Sequence, residues 1–229
     1  MIFRQLFEPV SSTYAYLLAC PRTKQAALID PVIEEVASYE AVLLELGLRL
    51  IYTMETHVHA DHVTAGDALR TRLGSQTCVR AGSGAECADV PLHHGDVIKV
   101  GDVNIEVRAT PGHTDSCVSF VLPDRVFTGD ALLIGGCGRT DFQQGNAAKL
   151  FESVTTQLFT LPPDTLVFPA HDYKGRTVST IREEQSINAR LGAGKSVDEF
   201  VEIMANLKLA YPKQIDRAVP ANLRCGREA

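Results

Sequence analysis

The sequence predicts a layered α/β domain, because strand and helix patterns are mixed in both halves of its 229 residues. The composition is that of a folded globular protein, since 45% of the residues are apolar and 22% are charged. We find no internal repeat, no low-complexity segment and no clear linker, so we expect one domain over residues 1–229. Periodicity alone leaves the order of the layers open.

The first third of the chain is predicted to form strands, one helix and a further strand. Apolar and aromatic runs separated by proline-containing turns predict strands over residues 2–7, 13–20 and 25–29. Apolar residues then recur at three- and four-residue intervals over 34–46, which predicts an amphipathic helix that Gly47 ends. The compact apolar run 48–53 predicts a buried strand.

The remaining two thirds alternate between short strands and helices. Strands are predicted over residues 77–80, 97–100, 103–109, 117–122, 126–128 and 166–168. Helices are predicted over residues 64–73, 146–161, 180–188 and 196–206. The last of them opens with Ser196 and Glu199 at the spacing of a capping box. The tail from Tyr211 has no strong period, so no element is predicted there.

The charge balance excludes several kinds of partner. With 28 acidic and 22 basic residues the net charge is −6, and no Lys/Arg run is present, so we expect no binding to nucleic acid or to an anionic membrane surface. No apolar stretch approaches the roughly 18 residues that span a bilayer. The N-terminus has neither a basic leader nor a small-residue cleavage site, so we expect a cytoplasmic location.

The six cysteines are too few for a disulfide scaffold in a chain of this length. None of them forms a Cys-x-x-Cys pair, which argues against zinc-ribbon and thioredoxin-type sites. We expect reduced thiols for most of them.

Histidines and carboxylates at predicted strand ends and turns form a candidate metal site. The residues concerned are His57, His59, Asp61, His62, His113, Asp130 and His171. Imidazole and carboxylate suit divalent transition metals, and three histidines and an aspartate within six residues are improbable as loop filler. Spacing alone predicts a site for two metal ions. His57, His59 and His113 would bind the first, and Asp61, His62 and His171 the second. Asp130 would bridge them.

The order and spacing of these motifs resemble the metallo-β-lactamase superfamily. That resemblance implies a four-layered αββα sandwich with the metal at the edge of its two sheets, here with a short C-terminal extension. A narrower resemblance to the persulfide dioxygenases is carried by THVHADH at 56–62, PGHT at 111–114, FTGDALLI at 127–134, GCGRTDFQQG at 136–145, PAHDY at 169–173 and VPANLRCG at 219–226.

This narrower resemblance changes the expected metal site. It implies one Fe(II) per chain, held by His57, His113 and Asp130. His59, Asp61, His62 and His171 would then lie around the metal without binding it directly. Two histidines and one carboxylate are the ligand set of non-haem iron oxygenases and leave positions open for other ligands.

The resemblance also implies the substrates, which are glutathione persulfide and O₂, and the products, which are sulfite and glutathione. Glutathione carries two carboxylates, so its site needs cations or hydrogen-bond donors. The candidates near the metal motifs are Arg139, Tyr173 and Lys174, with Arg224 from the tail. Arg139 has an alternative role, in which it pairs with Asp141 and shapes its own loop. A homodimer stays an open alternative.

Two other functions compete with the dioxygenase. A dizinc thioester hydrolase of the hydroxyacylglutathione hydrolase (glyoxalase II) type shares all seven metal positions. The 136–145 segment and the short C-terminal tail argue against it. A non-catalytic protein that binds a metal or a glutathione conjugate is disfavoured, because it would not need the complete ligand set.

Overall fold

The computed structural model describes residues 1–228 and contains two six-stranded mixed sheets. The strands of the first sheet follow one another in space as in sequence: β1 (Ile2–Glu8), β2 (Thr13–Ala19), β3 (Gln25–Ile29), β4 (Arg49–Met54), β5 (Gln76–Arg80) and β6 (Val90–Leu92). β1 to β3 are antiparallel, whereas β3 to β6 run parallel.

The second sheet is built from the other half of the chain. Its strands are β7 (Val97–Val100), β8 (Val103–Ala109), β9 (Val118–Val121), β10 (Arg125–Gly129), β11 (Leu166–Pro169) and β12 (Ser179–Thr180), again in sequence order. β10 and β11 are its parallel pair, and the other neighbours are antiparallel.

Within the described part of the chain, six α-helices accompany the sheets: α1 (Val36–Glu45), α2 (Gly66–Leu73), α3 (Ala147–Ser153), α4 (Ile181–Ile187), α5 (Val197–Ala205) and α6 (Ile215–Asn222). A short 3₁₀ turn, Ile33–Glu35, precedes α1, and α3 continues into a π-helical stretch, Val154–Leu158. No helix within residues 1–228 combines the length and the apolar character that a bilayer crossing requires.

Three buried clusters define the layers. Aromatic and aliphatic side chains from both sheets, among them Tyr16 and Phe127, fill the space between the sheets. Tyr39 of α1 and Leu69 of α2 pack on the outer face of the first sheet. Leu150 of α3 and Phe200 of α5 cover the outer face of the second. The predicted αββα order of layers is confirmed.

The predicted elements agree with the structure to within a few residues at their ends, apart from the segment 146–161, where α3 gives way to the π-helical stretch. Gly47 follows α1 with φ +60°, a conformation that glycine adopts at little cost, and Ser196 forms the expected capping box on α5. The sequence patterns missed β6, β12 and α6. The two strands span only three and two residues, and α6 was hidden by Pro220, which lies inside it.

The cysteine prediction holds for four of the six residues. Cys20, Cys78, Cys117 and Cys137 are free and buried. Cys87 and Cys225 form a disulfide between positions 138 residues apart in the chain.

Candidate metal centre and substrate cavity

The predicted metal-binding residues lie where strands of both sheets end at one edge of the sandwich. β3 and β4 are parallel neighbours, so Asp30 and the segment 55–62, which follow them, emerge side by side. In the second sheet, parallel β10 and β11 end just before Asp130 and His171. His113 comes from the turn between β8 and β9. The strand ends thus bring residues from distant parts of the chain together.

The rings of His57 and His113 are each held through Nδ1, which leaves Nε2 of both free to bind a metal. The Thr56 hydroxyl donates to the Asp30 carboxylate at 2.8 Å, so it accepts a hydrogen bond from Nδ1 of His57 at 3.0 Å. Nδ1 of His113 donates to the backbone carbonyl of Arg139 at 2.6 Å. Burial, and then the neighbouring imidazoles, lower the pKa of His57 well below its usual value, so this ring is neutral.

Asp130 completes a set of donors that fits a divalent ion. One ligand atom from each of His57, His113 and Asp130 lies within 4.8 Å of the other two. Within residues 1–228, Oδ1 of Asp130 is buried and has no hydrogen-bond partner. A buried carboxylate oxygen without a donor is costly unless a cation faces it. Two imidazoles and one carboxylate therefore fit a ferrous ion here.

His59 is turned toward two buried carboxylates. Its Nε2 lies 3.1 Å from Oδ1 of Asp30 and 3.4 Å from Oε2 of Glu55. Burial would lower the pKa of His59, but the carboxylates outweigh it and raise this pKa well above its usual value. These contacts occupy Nε2 of His59, so Nδ1 is the nitrogen of this ring that remains for a metal.

Asp61 joins His62 and His171 on the other side of the site. Its Oδ2 lies 2.9 Å from Nδ1 of His62 and 3.5 Å from Nε2 of His171. Burial would raise the pKa of Asp61, but the imidazoles outweigh it and lower this pKa well below its usual value. All seven predicted positions thus come together. In the described chain, Nδ1 of His59 and Nε2 of His62 lack hydrogen-bond partners, so donors for a second ion are also present.

Sequence reasoning missed Asp30 and Glu55. Asp30 accepts hydrogen bonds from the Thr56 backbone N–H at 2.7 Å and from its hydroxyl, and it also binds His59. Its φ of +49° lies in the left-handed region, which few residues other than glycine adopt. The available signal was an acidic residue directly after each of two apolar strands.

A cavity of about 450 Å³ opens over the metal-binding residues. Its other side is formed largely by apolar residues, Leu133, Leu209, Ala210 and Pro212. Gly138 lies at the metal end, where a Cβ atom would come 2.8 Å from Nδ1 of His113 and 2.9 Å from Cβ of Asp130. Only glycine fits between these two side chains, which gives one physical reason for the glycine-rich segment 136–145.

The structure places the four predicted glutathione-binding residues in different environments. Arg139 lines the cavity, but its guanidinium makes a bidentate pair with Asp141 at 2.6 and 2.8 Å and donates to the Ala210 carbonyl at 2.7 Å. Tyr173 lines the cavity with an exposed ring stacked on His171. Lys174 and Arg224 are exposed and lie outside the cavity lining.

Arg190 is a cavity residue that no sequence signal identified. Its guanidinium donates to the backbone carbonyl of Cys137, which is another lining residue. No carboxylate of residues 1–228 pairs with Arg190. Burial raises the pKa of Cys137 to about 11, so its side chain is a neutral thiol. Arg190 is therefore the cavity cation whose charge is not neutralised within the described chain.

Comparison with known proteins assigns the fold and site to a family. The profile of the family described as "Metallo-beta-lactamase superfamily" matches residues 9–171. The human protein named "Persulfide dioxygenase ETHE1, mitochondrial" is 54% identical over 99% of this chain and 89% of its own length. The crystal structure of ETHE1 from Myxococcus xanthus superposes with a TM-score of 0.97 at 56% identity, covering 99% of this chain and all of that one.

A hydrolase is a more distant relative. The Schizosaccharomyces pombe protein named "Probable hydroxyacylglutathione hydrolase SPCC13B11.03c" is 34% identical over 70% of this chain and 64% of its own length. Its identity is lower and its match shorter than those of the dioxygenases. The chain therefore belongs to the metallo-β-lactamase superfamily and, within it, to the family of the persulfide dioxygenases.

Proposed function

We propose that the protein is an iron-dependent persulfide dioxygenase that converts glutathione persulfide, O₂ and water into glutathione and sulfite. The observation that carries the proposal is the 54% identity to a persulfide dioxygenase over 99% of the chain. Two imidazoles and a carboxylate that converge in one cavity support it. No organic cofactor is needed, because the outer sulfur gives up all the electrons that O₂ accepts.

One Fe(II) per chain would be held by Nε2 of His57, Nε2 of His113 and the carboxylate of Asp130. When bound, the iron would supply the redox chemistry between the persulfide sulfur and dioxygen. The chain itself orients the two rings, through the Thr56 hydroxyl and the Arg139 carbonyl. The apolar wall of the cavity limits the access of water to the reacting sulfur.

The glutathione part of the substrate extends along the cavity toward Arg190. The unneutralised guanidinium suits a carboxylate, which it can bind through two parallel hydrogen bonds. Tyr173 offers an exposed ring and hydroxyl on the same cavity. Arg139 shapes the wall, because its charge is already paired with Asp141.

Arg190→Ala should raise KM for glutathione persulfide about tenfold or more, since a hydrogen bond to a charged group is worth about 1.5–3 kcal/mol. kcat should change little, because such a contact holds the ground and transition states alike. Steady-state oxygen uptake measures both constants. Lys174→Ala removes an exposed cation outside the cavity and is the matched control. An unchanged KM in the Arg190 variant would exclude its role in substrate binding.

His59→Ala and His171→Ala should both retain appreciable iron, because these rings lie beside the metal. Their activity should fall by about 10- to 100-fold, as is typical when groups that surround metal ligands are removed. Iron per chain, measured by elemental analysis beside His57→Ala, checks this. If His59→Ala lost iron as completely as His57→Ala, a three-histidine site would be the better description.

An oxygen electrode combined with a sulfite assay tests the reaction itself. With glutathione persulfide, the iron-loaded protein should consume O₂ and form sulfite in equal amounts, without an added cofactor. Free glutathione should not be oxidised, because it lacks the outer sulfur. Lactoylglutathione should be hydrolysed poorly, since one ferrous ion lacks the paired-metal hydroxide of a dizinc site.

The hydrolase is the second candidate, because the relative from S. pombe and the free nitrogens of His59 and His62 both favour it. Rapid hydrolysis of the thioester without persulfide-dependent oxygen uptake would establish it in place of the dioxygenase.

A further inference from the structure

The C-terminal tail, residues 215–228, lies against the metal loop, which we define as residues 55–64. Asn222, at the end of α6, is 5% exposed and makes three hydrogen bonds to this loop. Its side-chain amide donates to the backbone carbonyls of His59 and His62, each at 2.9 Å. Its Oδ1 accepts from the Thr64 backbone N–H at 2.9 Å. One side chain therefore satisfies three buried backbone groups of the loop that carries His57.

The residues beyond α6 continue this contact. The backbone carbonyl of Cys225 accepts from the Asp67 N–H at 2.8 Å, which joins the tail to the start of α2. Gly226 has φ +95° and lies so close to the Thr64 carbonyl that a Cβ atom would collide with it. The glycine at position 226 thus allows the backbone of the tail to approach the backbone of the metal loop closely.

The disulfide between Cys87 and Cys225 fastens this tail to the first sheet. Cys87 lies between β5 and β6, and its Cα atom is 6.0 Å from that of Cys225. The bond closes a long loop, which restricts the unfolded chain and keeps the tail in place. Without it, residues 215–228 would be held by noncovalent contacts alone, and segments held in that way open more readily.

We propose that the Cys87–Cys225 disulfide is a thiol-exchange site that controls how firmly Asn222 holds the metal loop. Cys87 is partly exposed, whereas Cys225 is 1% exposed, so Cys87 is the more accessible of the two cysteines to a small thiol. The neighbours of Cys87, Glu86 and Ala88, line an open cavity of about 570 Å³, which provides room for a tripeptide thiol. Low-molecular-weight thiols are the co-reactant class.

The exchange proceeds in two balanced steps. A glutathione thiolate attacks Sγ of Cys87, the bond between the two cysteines breaks, and Cys225 leaves as a thiolate that takes up a proton. A second glutathione thiolate attacks the glutathione sulfur of this mixed disulfide and releases Cys87 as a thiol. The protein disulfide gains two electrons and two protons, and two glutathiones become glutathione disulfide. That glutathione is also the reaction product rests on the proposed function.

Three of the remaining cysteines are poor competitors for this exchange. Burial raises the pKa of Cys78, of Cys117 to about 12 and of Cys137 to about 11, so these thiols stay protonated and unreactive. These three thiols should therefore not compete with opening of the disulfide. Its consequence is release of the tail, loss of the three Asn222 hydrogen bonds and a looser metal loop.

The test uses the full-length iron-loaded protein, before and after treatment with reduced glutathione under anaerobic conditions. Alkylation under denaturing conditions, followed by mass spectrometry, should find four thiols before treatment and six after it, since four cysteines are free. A ferrous chelator should then remove iron about tenfold faster from the treated protein, as is typical when groups around metal ligands are lost. Trypsin should also cleave the tail faster.

Two variants separate the effect of the disulfide from that of the Asn222 hydrogen bonds. The double variant Cys87→Ser, Cys225→Ser should lose iron at the fast rate without glutathione and should not respond to it. Asn222→Ala should keep the disulfide, and the protein should still show four thiols, yet iron should be lost at the fast rate. Asn206→Ala, at an exposed position, is the matched control.

Six thiols in untreated protein, or equal iron loss and tail cleavage with and without glutathione, would overturn the proposal. So would a double variant that still responds to glutathione. Thiol counting and tail cleavage need neither iron nor persulfide, so these results can be distinguished from a failure of the proposed dioxygenase function.

Discussion

His113→Ala should abolish both iron binding and persulfide oxidation. The substitution removes one of the three proposed ligand atoms, Nε2, and leaves the buried Oδ1 of Asp130 with one imidazole nearby instead of two. Two ligands do not hold a labile ferrous ion as three do, so iron should fall from one per chain to near zero. Oxygen uptake should fall to the background rate. Elemental analysis and an oxygen electrode measure the two effects on the same preparation.

His93→Ala is the matched control for this experiment. The side chain of His93 is 61% exposed and pairs with Asp96, outside the cavity. Its removal should change neither iron content nor activity. Circular dichroism should show that both variants keep the wild-type fold. Stoichiometric iron in His113→Ala would mean that His113 is not a ligand.

Asp30→Ala should damage both stability and iron binding, although we do not place Asp30 on the metal. Its carboxylate is fully buried and holds Thr56 and His59, and Thr56 in turn holds His57. Breaking a buried charged pair costs about 3–5 kcal/mol. Here it leaves His59 with the more distant Glu55 carboxylate, 3.4 Å from its Nε2, and leaves the Thr56 N–H and hydroxyl without their acceptor. At about 2–4 °C per kcal/mol for a chain of this size, Tm should fall by roughly 10 °C. Iron affinity should fall by about 10- to 100-fold.

Asp102→Ala provides the comparison for Asp30. Asp102 pairs with Arg22 at the surface, and the two side chains are 56% and 73% exposed. A pair of this kind contributes at most about 1 kcal/mol, so Tm should fall by no more than a few degrees and iron should be unaffected. Thermal unfolding and competition with a ferrous chelator measure the two quantities. Equal effects of the two substitutions would contradict the role given to Asp30.

Secondary structure was predictable where local signals were strong. β7 and β8 have the predicted bounds, because apolar residues there are separated by a Gly-Asp turn at 101–102. The helix α5 has the predicted cap at Ser196. α6 was missed because Pro220 breaks the helix signal and because its apolar face packs against Val63, a contact that local periodicity does not reveal.

The metal site was predictable as a set of residues, since histidines and aspartates at strand ends are visible in the sequence. The partners of those residues were not. No sequence pattern indicates that the Glu55 carboxylate contacts the ring of His59, yet the two buried side chains lie 3.4 Å apart. Arg190 is 60 residues from Asp130 in the chain and reaches the same cavity.

By itself, the sequence determined the α/β class, the residue types of the metal site and, through its motifs, the family. These features depend on hydrophobic periodicity and on short motifs, which are local properties of the chain. Only the tertiary structure decided that Asp141 neutralises Arg139, whereas no carboxylate of residues 1–228 pairs with Arg190. It also decided that Asn222 hydrogen-bonds to the metal loop and that a disulfide joins Cys225 to Cys87. Such pairings depend on how the two sheets and the tail pack together. That packing brings together residues that lie far apart in the chain, and no local pattern predicts their contact.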